Sequence, residues 1–247
     1  MASVAATPGQ TAGYAASQGF FVKVAWILAG IIVFGFAQHA ALGRVDIPRV
    51  PVWVHLHGLV MLGWLGLFVT QNRLAQQGDL ARHRQLGQIG AVLVCAILLL
   101  GWFTGVMSLM LHRSPPFFTP SYFLALTTVD SLVFAGLVLS GIARRADTET
   151  HRRLITGGTI IILEPAFGRL LPMPLIGGET GEWIVMVIQL GFVAAIALQD
   201  RRTLGRVMPA TLAVAGVVVA AHGLIALLGH TPAVIHLAGE IRAARGV

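Results

Sequence analysis

Four polar residues whose side chains can carry protons or ligate a cofactor lie deep inside apolar stretches of the sequence: Asp130, Glu164, Gln189 and His222. Counted from the nearest loop at about 1.5 Å per helical residue, all four fall between the midplane and the outer surface of a bilayer. An ionised carboxylate at the bilayer centre costs at least about 2.5 kcal/mol, so it must be paired, protonated or exposed to water. These residues therefore predict a buried polar layer; separate, locally bonded polar residues are the alternative.

Glu164 has the most informative surroundings of the four. It is followed by Pro165, and a proline removes the helical hydrogen bond to the carbonyl four residues earlier, that of Ile161. A kink beside a buried carboxylate opens a cavity in many membrane proteins, although proline is also common in membrane spans. Glu164 falls at nearly the depth of His222, so the two are predicted to form either a functional pair or separate structural hydrogen bonds.

A second set of residues lies at helical spacing on one face of an apolar stretch: His57, Met61, Trp64, Phe68 and Gln71. Lipid cannot satisfy the hydrogen bonds of His, Trp and Gln, so this face is predicted to point into the protein. His57 is interpreted either as a cofactor ligand or as an interface histidine bonded to a neighbouring carbonyl. By depth His57 also falls in the predicted buried polar layer, and Trp64 and Gln71 extend that layer along the same face.

Two His-Arg pairs, His83-Arg84 and His151-Arg152, stand at the starts of two apolar stretches. Cations there oppose the helix dipole, so the pairs need another explanation. One is cytoplasmic topology; the other is a basic cytoplasmic rim that binds acidic lipid headgroups or cofactor carboxylates. The pairs are 68 residues apart and open similar stretches, which predicts a parallel repeat of two helical hairpins.

The elements that position these residues follow from composition. Of 247 residues, 56% are hydrophobic and 11% charged, with a mean hydropathy of +0.80, whereas soluble domains carry about 25% charged residues. Cys95 is the only cysteine, which excludes a disulfide scaffold. We therefore expect an all-α, polytopic membrane bundle of about seven spans, each near the roughly 20 residues that a bilayer requires. They are predicted at about residues 22–42, 52–74, 84–111, 120–143, 153–171, 182–199 and 208–229.

The basic residues determine the predicted orientation. The net charge of +7 comes from arginines scattered through short loops, a pattern typical of membrane topology and not of nucleic-acid binding. Loops after the second, fourth and sixth spans carry ten arginines and the other loops four, which predicts a cytoplasmic N-terminus and an external C-terminus. The predicted parts are a flexible tail (1–20), one transmembrane domain (21–230) and an external or interfacial tail (231–247).

Several short motifs resemble those of an uncharacterised group of bacterial multi-span membrane proteins. An HxHG motif begins at His55, a Trp and a Gln follow, and an HRxLG motif begins at His83. Further along, HRRL begins at His151, EPA begins at Glu164 with Arg169 after it, and QDRR occupies 199–202. The resemblance covers residues 52–215 and implies a location in the bacterial inner membrane.

A weaker similarity, histidines near span ends in a small bundle, is to b-type haem membrane proteins such as the small di-haem cytochromes and haem A synthase. It implies haem b as a cofactor. Imidazole is a good axial ligand in an apolar bundle, and His57 and His222 are the residues that would supply it.

Three functions remain open on the sequence. The first is a haem- or metal-binding redox protein that uses His57 and His222. The second is a non-catalytic accessory or assembly subunit of a membrane complex, whose partners are other subunits and the lipid bilayer. The third is a proton-coupled carrier of a small solute, in which Glu164, Asp130 and His222 exchange protons. A retinal protein is excluded, because the only lysine is Lys23, at the start of the first span.

Overall fold

The computed structural model describes residues 8–244, with side chains described from Ser17 onward. Within that range the elements are helical and no strand is present, which confirms the all-α prediction. In chain order the helices are α1 (Pro8–Ala41), α2 (Val52–Gln77), α3 (Leu80–Met110), α4 (Pro120–Ala143), α5 (Thr148–Ile161), α6 (Glu164–Leu170), α7 (Met173–Ile176), α8 (Gly178–Leu204), α9 (Pro209–Gly229) and α10 (Pro232–Ala243).

Six of the helices in the described range are long and apolar enough to cross a membrane, so the protein is an integral membrane protein. They are Ser17–Ala41, Val52–Gln77, Leu80–Met110, Pro120–Ala143, Gly178–Leu204 and Pro209–Gly229. Each matches one of the predicted spans in place, and the short loops between them begin or end at helix-breaking residues. Gly78, for example, ends α2 in the left-handed conformation at φ 75°, which costs glycine little.

The fifth predicted span, residues 153–171, is two helices instead of one. α5 ends at Ile161 and α6 begins at Glu164, so the chain leaves helical hydrogen bonding at the intervening pair. The physical cause is Pro165, which has no amide hydrogen to donate to the Ile161 carbonyl. The break leaves six continuous membrane-length helices in the described chain where the sequence predicted seven.

α5 lies at the centre of the bundle, where it contacts α1, α4, α8 and α9. Two glycines allow these close approaches. A Cβ atom on Gly157 would lie 2.6 Å from Val214 of α9, and one on Gly158 would lie 2.7 Å from Val138 of α4. Because such distances are far below van der Waals contact, α5 holds its neighbours closely only while these positions lack side chains.

Both ends of the chain contain more helix than the sequence predicted. The predicted flexible tail at residues 1–20 is helical from Pro8, as the first part of α1, and residues 1–7 lie outside the described chain. At the other end α10 packs Ala238 against Leu109 of α3 and Leu124 of α4. Its His236 and Glu240 are exposed on the opposite face. The predicted C-terminal tail is therefore helical over most of its length, and its external or interfacial position stays a prediction; residues 245–247 lie outside the described chain.

Candidate functional site

The break between α5 and α6 organises the candidate site. The carbonyl oxygen of Ile161, released from helical bonding, accepts a hydrogen bond of 3.1 Å from the side-chain amide of Gln189 in α8. Gln189 is only 1% exposed, so this bond satisfies a group that would otherwise be costly to bury. It also fixes the amide: the NH2 group faces Ile161, and the carbonyl oxygen Oε1 faces the opposite way.

Gln189 in turn determines which nitrogen of His222 carries hydrogen. The Oε1 atom of Gln189 lies 3.1 Å from Nε2 of His222. Because Oε1 can only accept, Nε2 must be the donor, and in a neutral ring the other nitrogen, Nδ1, then carries a lone pair. His222 is 3% exposed, so water does not reach this ring freely.

Glu182 of α8, which the sequence analysis did not select, lies beside that lone pair. Its Oε2 atom is 3.8 Å from Nδ1 of His222, and its side chain is 1% exposed. Within the described range no N–H or O–H donor reaches Nδ1 of His222 or the carboxylate oxygens of Glu182, whose hydrogen-bonding neighbour is the carboxyl group of Glu164. Two proton acceptors therefore face each other in a buried space. The signal for Glu182 in the sequence was its position as the first residue of the sixth predicted span, 182–199.

Two more acidic residues complete this group. Glu164, 7% exposed, lies next to the carboxyl group of Glu182, and Asp130 of α4 is within electrostatic range of Glu164. The cation acting on Glu164 is Arg169 of α6. We call Asp130, Glu164, Glu182, Gln189 and His222 the acidic cluster. The structure thus brings together four of the residues predicted for the buried layer and adds Glu182 between Glu164 and His222.

Arg169 is only partly available to balance these charges. Its guanidinium group donates a hydrogen bond of 2.6 Å to the Pro165 carbonyl and lies 4.0 Å above the ring of Phe36 in α1. The carbonyl of Arg169 accepts a bond of 3.0 Å from Gln38. These contacts anchor α6 to α1 and hold the break in place.

A second buried network lies at the predicted cytoplasmic end. Arg153 of α5, 1% exposed, forms a two-pronged ion pair with Asp200 of α8, which is fully buried. Asp200 also accepts hydrogen bonds from the Thr211 hydroxyl at 2.6 Å and the Met208 amide at 3.1 Å. Glu149 lies 2.5 Å from Arg153 on the other side. We call Glu149, Arg153, Asp200 and Thr211 the arginine network; it joins α5, α8 and α9.

Arg152, predicted for a basic cytoplasmic rim, belongs beside this network. It is 7% exposed, and it donates to the Ser17 hydroxyl and to Glu149, both at 2.6 Å. Its guanidinium group lies 4.5 Å from the ring centre of Phe21 in α1. Arg84, the matching residue of the first pair, is exposed. Of the two predicted rim arginines, the structure therefore leaves only Arg84 accessible to headgroups.

The two rim histidines contact each other. The rings of His83 and His151 meet edge to face, with their centres 6.2 Å apart. Nδ1 of His151 lies 2.8 Å from the Gly141 carbonyl, and Nδ1 of His83 lies 3.4 Å from the Gln71 carbonyl. The side-chain amide of Gln71 in turn donates a hydrogen bond of 3.0 Å to the His83 carbonyl. These contacts are those of helix packing between α2, α3, α4 and α5.

The predicted inward face of α2 lies apart from the acidic cluster. Trp64 is 3% exposed and meets Phe134 of α4 edge to face at 5.1 Å. His57 is half-buried next to Gly101 of α3. Its Nδ1 atom is buried and has no hydrogen-bond partner among the described residues. His57 and His222 thus make contacts with different neighbours, on α3 for the first and on α8 for the second.

Within residues 17–244, no three His, Cys, Asp or Glu side chains converge in an arrangement that could hold a metal ion. Comparison with known proteins found no match to a protein-family model, to a curated protein or to a solved structure. Two buried polar groups are the candidates for function in the described chain. Of these, the arginine network has its charges paired, whereas the acidic cluster contains acceptors without donors.

Proposed function

We propose that the protein is a proton-coupled carrier of a small solute and that the acidic cluster is its proton-binding site. The observation that carries the proposal is the contact between Nδ1 of His222 and Glu182. Nδ1 and the Glu182 carboxylate both accept protons, and both are buried. The other ring nitrogen, Nε2, already donates its hydrogen to Gln189. One added proton turns this contact between two acceptors into an ion pair at 3.8 Å, so proton binding is favoured at this place.

The neighbouring Glu164 extends the same argument. Two carboxylates side by side in an apolar bundle repel each other strongly, and a shared proton removes most of that cost. The cluster also adjoins a discontinuous helix, an arrangement that carriers use to expose carbonyl oxygens and to let two helix segments move separately. Proton loss at Glu182 would restore the repulsion and favour a different arrangement of α6 against α8.

We also propose that α5 and α6 together form a seventh, discontinuous crossing. A chain that leaves α4 at one surface and enters α8 from the opposite surface must cross between them, and α5 and α6 are the segments available. With the loop arginines on the inside, the N-terminus is cytoplasmic and the C-terminus external in a bacterial inner membrane. The acidic cluster then lies in the outer half.

The parallel repeat is supported by one pair of equivalent contacts. His83 and His151 each place Nδ1 against a carbonyl of the preceding helix, at Gln71 and Gly141 respectively. The two hairpins α2–α3 and α4–α5 would then be copies that meet through these histidines.

Haem b binding is the second candidate function, supported by the unpartnered Nδ1 of His57. The ring nitrogens of His222 both face protein groups, so His57 is the residue that fits an axial ligand. A b-type band in the reduced absorption spectrum of the purified protein would support it, and its loss in His57→Ala would assign the ligand. The accessory-subunit hypothesis stays a prediction.

The carrier proposal is tested in vesicles that contain the purified protein and an internal pH dye. Solutes from several classes (amines, carboxylates, sugars, amino acids) are added outside under a fixed pH gradient. We expect one class to drive proton movement, and Glu182→Gln to abolish it. Glu179→Gln is the matched control, because Glu179 is on the same helix but 46% exposed. Equal proton movement in Glu182→Gln and the wild type would refute the proposal.

A further inference from the structure

The charges around the acidic cluster do not balance. Asp130, Glu164 and Glu182 contribute three carboxyl groups from three different helices, and the cation Arg169 acts on one of them, Glu164. The Arg169 guanidinium is already engaged by a carbonyl and an aromatic ring. The site therefore attracts positive charge. Bound protons provide that charge, and when they leave, another cation can take their place.

The acidic cluster also has more hydrogen-bond acceptors than donors, which again favours a ligand that carries positive charge and N–H groups. His222 Nδ1 and the oxygens of Glu182 are acceptors that no described N–H group reaches, and the partner of Glu182 is a second carboxyl group, that of Glu164. The phenol ring of Tyr122, 1% exposed and stacked on Phe118 at 5.5 Å, is within electrostatic range of Glu182 and Glu164. Buried carboxylates bind cations that carry N–H donors through charge-assisted hydrogen bonds.

We infer that the solute carried at the acidic cluster is a small organic monocation with N–H donors, of the ammonium or guanidinium class. This inference rests on the proposed carrier function and adds the identity of the cargo. Three carboxyl groups would repel an anion. A neutral solute would leave the negative charge of the deprotonated Glu164–Glu182 pair uncompensated. A cation with N–H groups replaces the proton in charge and in hydrogen bonding, so cation and proton compete for one site and move in exchange.

The exchange conserves charge. When the cation binds between Glu164 and Glu182, the proton held by the pair leaves to water on one side of the membrane. Return of a proton from the other side expels the cation there. His222 supplies an acceptor for one N–H group of the cation, while Gln189 keeps the ring in place.

Guanidinium is the probe for the first experiment, because it stays charged at all accessible pH values and does not cross the bilayer as a neutral base. It is added at low concentration to the purified full-length protein in weakly buffered detergent, and proton release is measured with a pH dye. We expect saturable release in the wild type and in Glu179→Gln, and binding weaker by about tenfold or more in Glu182→Gln. Tetramethylammonium, which has no N–H donor, should release less.

The possible outcomes separate the inference from the carrier proposal. Proton movement in vesicles driven by a carboxylate or a sugar, without guanidinium-linked release, would overturn the cation inference and leave the carrier standing. Release of equal size in Glu182→Gln would place the cation elsewhere and also overturn the inference. Absence of coupling with every solute would overturn the carrier and the cation together. Elution of the Glu182→Gln variant as a single species in size-exclusion chromatography verifies that it is folded.

Discussion

Removal of the Asp200 carboxylate is expected to be the most destabilising single change at the predicted cytoplasmic end. In Asp200→Ala, Arg153 loses both prongs of its ion pair while remaining 1% exposed. The Thr211 hydroxyl and the Met208 amide lose their acceptor at the same time. Three donor groups from three parts of the chain are then buried without the partner they share.

The magnitude follows from those losses. Breaking a buried ion pair by removing one partner costs about 3–5 kcal/mol. Glu149, 2.5 Å from Arg153, still compensates part of the charge, so the lower end of that range applies to the ion pair. The orphaned hydroxyl adds a further cost of about 1 kcal/mol. We therefore expect the unfolding free energy of Asp200→Ala to fall by about 4 kcal/mol in total.

The assay is denaturation by SDS in mixed micelles, followed by circular dichroism. Asp46→Ala is the matched control, since Asp46 pairs with Arg49 at 3.3 Å but both side chains are more than half exposed, at 54% and 87%. Such a surface pair contributes about 0–1 kcal/mol. The double variant Asp200→Asn, Arg153→Met removes both charges and keeps an acceptor for Thr211, so it should be more stable than Asp200→Ala. A loss in Asp200→Ala no larger than in Asp46→Ala would refute the reasoning.

Three further predictions follow from local geometry. Gly157→Ala should lower the unfolding free energy by about 1–3 kcal/mol, because its Cβ would meet a side chain of α9 at 2.6 Å, whereas Gly216→Ala, with open space around it, should not. The Thr150 side-chain and amide hydrogen bonds hold the pKa of Asp147 below its usual value, so Asp147→Ala should destabilise α5 above the ordinary carboxyl pKa. The difference from the wild type should vanish as pH falls through the lowered pKa. Reporters fused after Asp147 and Gly177 should read cytoplasmic and external respectively; the reversed signals would contradict the proposed orientation.

Hydropathy was sufficient to place the six continuous membrane-length helices, because twenty apolar residues in a row have few other stable arrangements. It could not show that residues 162–163 leave the helix, since apolar composition continues through the break. The effect of Pro165 on the Ile161 carbonyl did follow from the sequence, because the covalent structure of proline dictates it. That Gln189 would satisfy this carbonyl depended on helix packing, which the sequence pattern does not specify.

Depth along the chain predicted much of the acidic cluster, whereas the contacts within it depended on rotation about the helix axes. Glu164 and His222 were expected to meet directly, but Glu182, the first residue of the sixth predicted span, lies beside both of them. Arg152 was expected at an accessible rim on account of its position at a helix start. A neighbouring helix, α1, covers it with Phe21, and such long-range coverage is invisible to local pattern.

The central claim, that the acidic cluster holds a proton, is tested most directly by infrared spectroscopy of the purified protein at neutral pH. A protonated carboxylic acid has a carbonyl stretch that a carboxylate lacks. We expect this band in the wild type and in Glu179→Gln, with a shift in heavy water, and a reduced band in Glu182→Gln. Absence of the band from the wild type at neutral pH would contradict the account, because Glu164 and Glu182 would then both be ionised in the apolar bundle.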